Sequence, residues 1–370
     1  MPEVIRQSFG VPLIRSVMTA NEQLGPDYKH SMERLRSSGD TVTVGRLKLH
    51  VTPVFDAYWR FAAERQLIFY RRLRRLNGPL TGDPVMKQFK FTNAYRASDR
   101  VSQYLIRNVI YRDDLPSDAE DVFFRTLLFK LFNKIETWTF LERSTGPLTW
   151  RSYRFDDFDR LLSQRMRDGY RIYSAAYIMP SGGSVFGHAL KHQNHLRMLE
   201  RLMTERYPAR LRDCKTMAEA FALLRSVPFL GPFLAYQYAT DLNYSELTDF
   251  REDEFVVAGP GAIDGINKCF ADADGPSPSD IIRYMFEHQE EHFSALGIAF
   301  QSLWGRPLQL IDCQNLFCEI SKYARVAFPA YAGVAGRTRI KQKFRSSGAL
   351  PDPWYPPKWK IDTRRLPESL

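Results

Sequence analysis

The sequence lacks every feature of a protein that crosses or is exported through a membrane. Spanning a bilayer takes roughly 20 apolar residues, yet the most apolar stretch, residues 123–141, contains Arg125, Lys130, Lys134 and Glu136. The first residues carry no long apolar core of a signal peptide. The four cysteines form neither a CxxC pair nor a secreted disulfide framework. We therefore expect a cytoplasmic protein with reduced cysteines and no membrane partner.

The short motifs of nucleotide and metal chemistry are also missing. There is no GxxxxGK[ST] phosphate loop, and GPGAIDG at residues 259–265 does not fit GxGxxG. His288 and His292 match HxxEH, the inverted zinc-protease pattern, but nothing indicates a third ligand. We interpret the two histidines as part of a solvated helix face and expect neither a metal nor a cofactor.

What the chain has in excess is positive charge. Its 52 Lys and Arg residues against 42 Asp and Glu residues give a net charge of +10 and an isoelectric point near 9.4. This balance favours an anionic partner, nucleic acid first of all. The 14% of aromatic residues suits base stacking and core packing equally well.

Apolar periodicity predicts a mainly α-helical fold. One long helix is expected over residues 121–141, and the alternation of TVTVGRLKLHV at 41–51 indicates a short strand or hairpin. The predicted organisation is an N-terminal segment with short strands (1–54), a helical body (55–332), and a basic, Pro- and Trp-rich tail (333–370).

A sharp break divides two apolar helices at residues 226–244, SVPFLGPFLAYQYATDLNY. We expect Gly231 to take the left-handed conformation of a tight turn and Pro232 to begin the second helix. The free amides of Phe233 and Leu234 would then face a phosphate. This pattern predicts a helix-hairpin-helix element, with a plain helical corner as the alternative.

The region after this turn resembles helix-hairpin-helix DNA glycosylases. In those enzymes the catalytic acid follows the hairpin at the start of the next helix, and here that place holds Glu252, Asp253 and Glu254. The chain has VPFLG where the superfamily usually has LPGxG, so Phe229 replaces the first glycine.

A longer resemblance extends over about residues 55–345. It rests on five stretches in order: KFTNAYRASDRVSQYLI, LLFKLFNKIETW, FLAYQYATDLNYS, EFVVAGPGAIDGINKCF and LQLIDCQNLFCEISKYAR. They resemble the family named for alpha-glutamyl/putrescinyl thymine pyrophosphorylases, also labelled the helical domain of 5-hydroxymethyluracil DNA kinases. The resemblance implies a helix-hairpin-helix glycosylase-like fold and a link to hypermodified pyrimidines in phage DNA, including glycosylases of antiviral defence.

Polar residues of these stretches are candidates for contacting a base. Asp312, Asn315 and Glu319 fall on one side of a helix, with Gln314 beside them among apolar neighbours. Such groups need partners, which a base edge or a structural polar network would supply. Asn93, at the start of the predicted helix in KFTNAYRASDR, is the further candidate for substrate binding.

Two groups of cations are candidates for contacting the DNA backbone. Arg96 and Arg100 lie one turn apart and would hold a phosphate or pair with Asp99. The alternating segment 337–345 would track a duplex as an extended arm, or lie solvated. Its cations are Arg337, Arg339, Lys341 and Lys343.

These features favour a monofunctional DNA glycosylase that excises a bulky modified pyrimidine from phage DNA in antiviral defence. Its partner would be double-stranded DNA with modified bases, and base flipping would bring the nucleotide into a pocket. Glu254 or Asp253, with Asp312 as a further candidate, would stabilise the positive charge on the sugar and leave an abasic site. The alternatives are a transferase that acts on activated 5-hydroxymethyluracil, and an inert DNA-binding module.

Overall fold

The fold is mainly α-helical, as the periodicity predicted. In a computed structural model, residues 40–273, 275–345, 348 and 350–366 are described, so residues 1–39 of the predicted N-terminal segment lie outside the described part. The described residues form fifteen α-helices and one small β-hairpin. None of the helices described is both long and apolar enough to cross a membrane.

The elements follow one another along the chain, with long connections at residues 168–182, 243–259 and 296–309. The two strands are β1 (Thr41–Val44) and β2 (Leu47–His50). The helices are α1 (Pro53–Leu73), α2 (Pro84–Gln88), α3 (Arg100–Leu105), α4 (Ala119–Phe132), α5 (Ile135–Thr145), α6 (Phe155–Arg167), α7 (Gly183–Phe186), α8 (Lys191–Thr204), α9 (Tyr207–Asp213), α10 (Met217–Arg225), α11 (Pro232–Leu242), α12 (Pro260–Cys269), α13 (Pro278–Glu287), α14 (Gln289–Ala295) and α15 (Leu310–Ala327).

The strands β1 and β2 confirm the hairpin expected from the alternating sequence. They pair antiparallel with Thr41 opposite His50, and Gly45 supplies the positive φ of +61° that a two-residue turn requires. A further antiparallel bridge joins Val51 to Phe270 at the end of α12. The hairpin therefore closes over the helical body and does not stand apart from it.

The single helix expected over residues 121–141 is wrong. Asn133 adopts a left-handed conformation with φ +48°, which ends α4, and α5 begins at Ile135. Asparagine tolerates this conformation better than most residues because its short side chain bonds locally. The break redirects the chain and leaves Lys130 in the last turn of α4.

The core is built around α1, α12 and α15. The ring of Tyr58 on α1 lies 4.8 Å from that of Phe317 on α15, and its hydroxyl donates to the Cys313 carbonyl at 3.2 Å. Gly265 on α12 meets the backbone of Phe317 so closely that a Cβ atom would clash with the carbonyl oxygen. A residue without a side chain is required at this crossing.

The tail returns across the body and is held by backbone pairing. Lys90 N donates to Gln342 O at 3.0 Å, and Phe344 N donates to Gln88 O at 2.9 Å. Farther on, Trp354 N donates to Gln103 Oε1 at 2.8 Å. The basic segment 337–345 contains no helix, and its end lies along the chain that follows α2.

Candidate functional site

A cavity of about 470 Å³ opens beside the end of the basic segment 337–345. It lies between α1, the segment that contains α3, the end of α4 and the loop before α7. We call it the cationic cavity because, among the described residues, eight cationic side chains and two carboxylates line it. These are Arg65, Arg72, Lys90, Arg96, Arg100, Lys130, Lys343 and Arg345, with Asp99 and Asp241.

An ion triad forms the floor of the cationic cavity. Asp241, near the end of α11, bonds Arg96 Nη1 through Oδ1 and Lys130 Nζ through Oδ2, both at 2.6 Å. All three side chains are at most 3% exposed. Burial alone would raise the pKa of Asp241, but the two cations hold it below its ordinary value. Burial lowers the pKa of Lys130 to about 8, even though Asp241 opposes the shift.

Buried polar partners fix the orientation of Arg96 in this triad. Its Nε donates to Gln237 Oε1 at 3.1 Å, and its Nη1 donates to the hydroxyl of Tyr244 at 2.8 Å. Gln237 in turn donates to Gln314 Oε1 at 3.2 Å. Gln314, predicted to contact substrate, is fully buried and reaches the cavity only through Gln237 and Arg96.

The aromatic ring of Tyr177 packs against the triad. Tyr177 has a left-handed backbone with φ +54°, which is a strained conformation for an aromatic residue. Its ring lies 3.7 Å from Lys130 Nζ and stacks on Phe233, with ring centroids 6.0 Å apart and planes 10° from parallel. A cation against an aromatic face is attracted to the ring electrons, so Lys130 is held by both Tyr177 and Asp241.

Asp99 is the second carboxylate of the cationic cavity. Its Oδ1 accepts from the backbone N–H of Asn93 at 2.8 Å. Burial raises the pKa of Asp99 to about 7, with Glu319 adding to the shift while Arg65 and Arg96 oppose it. A carboxyl group that titrates near neutral pH can accept a proton from a bound substrate.

Asn93 and Arg100, two of the predicted contacts, also line the cavity. The side chain of Asn93 donates to Ser98 O at 2.7 Å and accepts from Arg65 at 3.2 Å, so it orders the loop that carries Asp99. Arg100 begins α3 and is exposed at the rim. Its guanidinium is therefore placed to meet an anion that enters from solvent.

The acids predicted to be catalytic lie elsewhere. Glu252 pairs with Arg306 at 2.9 Å, while Asp253 and Glu254 both pair with Arg251, at 2.7 and 3.1 Å. Glu252 and Asp253 line a separate cleft of about 360 Å³, together with Lys358 and Trp359. The structure does not bring these acids together with Asn93, Arg96 and Arg100.

The polar residues of α15 that were predicted to contact a base mostly make contacts within the protein. Asp312 is buried and accepts from the backbone N–H groups of Arg96 and Gln309, at 2.7 and 3.0 Å; burial raises its pKa to about 6. Glu319 accepts from Thr92 N at 2.9 Å. Asn315 is partly exposed. Asp312 and Glu319 thus anchor the segment at residues 92–96 from behind the cationic cavity.

The helical hairpin forms, but its turn differs from the expected one. Gly231 has φ −66° and ψ 168°, so the expected left-handed glycine is wrong. Phe229 takes the left-handed conformation instead, with φ +55°. Gly231 is the N-cap of α11, Pro232 occupies the first turn, and the amides of Phe233 and Leu234 lie at this N-terminus. The same helix carries Asp241, about 15 Å along its axis, to the floor of the cavity.

A larger cavity, of about 1010 Å³, is lined by as many acidic as basic side chains, four of each. Arg112 bonds Asp114 at 2.6 Å and Glu142 at 2.7 Å, and Arg125 donates to backbone carbonyls. These cations are already neutralised or satisfied. The cationic cavity, whose rim cations face solvent, is the better candidate for binding an anion.

Several residues of the site were missed in the sequence, among them Lys130, Asp241 and Tyr177, and Asp99 was considered only as a partner of Arg96 and Arg100. Lys130 and Asp241 are charged positions inside otherwise apolar helices, FFRTLLFKLF and FLAYQYATDL, and that was the available signal. Tyr177 had no local signal, because its role depends on contacts with α4 and α11. Of the predicted arm cations, Lys343 lines the cavity, whereas Arg337, Arg339 and Lys341 are exposed on the same segment.

Comparison with known proteins identifies relatives of the chain. Residues 52–333 match the family described as 5-hmdU DNA kinase, helical domain. The chain is 27% identical over 328 residues to a protein named 5-hmdU DNA kinase from Bacillus phage SP10. That match covers 84% of this chain and 50% of the phage protein, so the chain spans about half the length of this relative. No solved structure matches.

These matches overturn the prediction of a DNA glycosylase in antiviral defence. Both names describe a kinase, which is a transferase, and neither describes a hydrolase that excises a base. The five sequence stretches pointed to the family of 5-hydroxymethyluracil DNA kinases, and the comparison confirms that family. The glycosylase activity that we predicted from the resemblance is wrong. The chain belongs to the family of the helical domain of 5-hmdU DNA kinases.

Proposed function

We propose that this chain binds DNA that contains 5-hydroxymethyldeoxyuridine and places that nucleotide in the cationic cavity for phosphoryl transfer to its 5-hydroxymethyl oxygen. The observation that carries the proposal is the cavity itself, in a member of this family. Its cations would hold phosphate oxygens, and Asp99 would face the acceptor. A volume of about 470 Å³ falls in the range of small-ligand sites.

The chemistry requires a base and compensation of negative charge. When the hydroxymethyl oxygen forms its bond to phosphorus, it gives up a proton, and the bond from phosphorus to the leaving group of the donor breaks. Asp99, with its pKa near 7, would accept that proton. Arg100, Lys343 and the other rim cations would stabilise the charge on the equatorial phosphoryl oxygens.

The helical hairpin would hold the DNA backbone. The N-terminus of α11 presents the free amides of Phe233 and Leu234, and the basic segment 337–345 would lie along the same backbone. Because α11 also carries Asp241, one rigid element would link the phosphate contact to the cavity floor. In this proposal the element acts as a helix-hairpin-helix.

The phosphoryl donor is proposed to bind residues other than these 370. The phosphate loop GxxxxGK[ST] does not occur among them, and the chain matches half of the phage kinase. The same observation favours a second candidate, a transferase that replaces an already phosphorylated 5-hydroxymethyl substituent. An excess of cations around the cavity suits that anionic substrate as well.

The proposal is tested by binding and by product analysis. Fluorescence anisotropy would compare oligonucleotides that carry thymidine, 5-hydroxymethyldeoxyuridine or its phosphate ester at one position. We expect the phosphate ester to bind most tightly and thymidine least, and Arg100→Ala to reduce this preference. Lys48→Ala, an exposed cation on β2, is the matched control and should leave the preference unchanged.

Product analysis separates the two candidates. Labelled phosphate from ATP should appear on the 5-hydroxymethyl nucleotide if the chain serves a kinase, when the part of the phage relative that this chain does not match is supplied. If the chain serves the second candidate, mass spectrometry should show a replaced substituent on a base still joined to deoxyribose. Equal affinity for all three oligonucleotides, without either product, would contradict both.

A further inference from the structure

The most exposed large apolar side chain in the described part of the chain is Ile178, at 72%. Single exposed apolar residues are common on protein surfaces, so exposure alone indicates nothing. The position of Ile178 does, because the two residues before it, Ala176 and Tyr177, line the cationic cavity. The side chain therefore projects into solvent directly beside the cavity wall.

The segment that carries Ile178 is anchored on both sides. Before it, Tyr177 is held by Phe233 and Lys130 in a strained left-handed conformation. After it, Met179 is 2% exposed and its sulfur accepts from the Tyr238 hydroxyl at 2.9 Å. Pro180 O is bonded to His195 Nε2 at 2.7 Å. Ile178 is thus presented by a fixed turn.

The surroundings of this turn are those that would contact DNA. Tyr177 packs on Phe233, whose amide lies at the N-terminus of α11. Gly182, farther along the same loop, lies so close to Phe229 in the hairpin turn that a Cβ atom would meet its ring at 2.8 Å. A nucleotide that entered the cavity from a duplex would leave its neighbours in the stack next to Ile178.

We propose that Ile178 is a wedge that enters the base stack of a duplex when the 5-hydroxymethyldeoxyuridine nucleotide occupies the cationic cavity. This inference rests on the proposed function. Apolar side chains are suited to this task because they separate base steps and exclude water from the gap. Unstacking and unpairing one nucleotide is unfavourable, and burial of an isoleucine side chain offsets part of that cost.

The test uses the full chain and oligonucleotides with 2-aminopurine beside 5-hydroxymethyldeoxyuridine. Its fluorescence rises when the neighbouring bases unstack. We expect the parent protein to raise the fluorescence of the duplex and Ile178→Ala to lose that rise. Duplex affinity should fall about tenfold, while affinity for the same single strand should stay unchanged, since a single strand needs no wedge.

Two variants control the experiment. Ile178→Leu keeps the apolar bulk and should retain the fluorescence rise. Val334→Ala removes an apolar side chain that is 68% exposed and does not line the cavity, and it should behave as the parent. Because both positions are exposed, the thermal unfolding of all variants should match that of the parent.

The outcomes separate the wedge from the proposed function. If Ile178→Ala raises the fluorescence and binds the duplex as the parent does, while both still prefer the modified single strand to thymidine, the wedge is wrong and the proposed function stands. If the parent shows no preference for the modified nucleotide even in a single strand, the proposed function fails and the wedge falls with it.

Discussion

Replacing Asp241 by asparagine should destabilise the protein more than any substitution of an exposed carboxylate. At an effective dielectric constant near 20, two unit charges 2.6 Å apart attract by about 6 kcal/mol. Desolvation offsets much of that attraction in the intact triad. Without the carboxylate, however, Arg96 and Lys130 stay buried as two cations that repel each other. We expect a loss of about 3–5 kcal/mol in the free energy of unfolding.

The assay is urea unfolding followed by the fluorescence of the buried Trp59 and Trp138. A double-mutant cycle isolates the interaction. Lys130→Met alone leaves Asp241 paired with Arg96, and Asp241→Asn with Lys130→Met leaves one cation that still bonds Gln237 and Tyr244. The double variant should therefore lose less stability than the sum of the single variants, by roughly 1–3 kcal/mol.

An exposed carboxylate provides the matched control. Asp114 bonds Arg112 at 2.6 Å, but its side chain is 64% exposed, so solvent screens the pair and Asp114→Asn should change stability little. Unfolding of Asp241→Asn at the same urea concentration as Asp114→Asn would show that the triad does not stabilise the fold. Strict additivity of the two substitutions in the cycle would show that Asp241 and Lys130 do not interact.

Three further predictions follow from local geometry. Since burial raises the pKa of Asp99 to about 7, from 3.8 in an exposed chain, the folded protein holds a proton that the unfolded chain releases. The contribution of Asp99 to the free energy of unfolding is therefore fully present below pH 4 and is lost as the pH rises to 7, by at most about 1.4 kcal/mol per pH unit. Asp99→Asn should abolish this decline, as measured by urea unfolding at several pH values. Gly265→Ala should destabilise strongly or prevent folding, because its Cβ would clash with the Phe317 carbonyl, whereas Gly231→Ala, with open space around it and a negative φ, should unfold as the parent does; equal melting temperatures would contradict this. Neutralising the cations of the basic segment 337–345 should lower the slope of log affinity against log salt, by roughly 0.9 for each DNA phosphate that the segment no longer contacts. An unchanged slope would show that these cations are solvated and do not contact DNA. The residues to replace are Arg337, Arg339, Lys341 and Lys343.

The sequence by itself determined the features that depend on neighbours along the chain. Alternating apolar residues in TVTVGRLKLHV specified β1 and β2, and Gly231-Pro232 specified the start of α11. Five ordered motifs indicated the family. Each of these features depends on contiguous residues. A one-dimensional pattern is therefore sufficient to find them.

Only the tertiary structure decided which charges share a site. Arg96, Lys130 and Asp241 come from three separate segments, and no local period relates them. By contrast, Asp253 and Glu254 had the expected distance from the hairpin but pair with Arg251 on the surface. Their spacing could not reveal this, because the position of a carboxylate depends on how the helices cross. The crossing depends in turn on side-chain volume at contacts such as Gly265, where the absence of one carbon atom sets the approach of two helices.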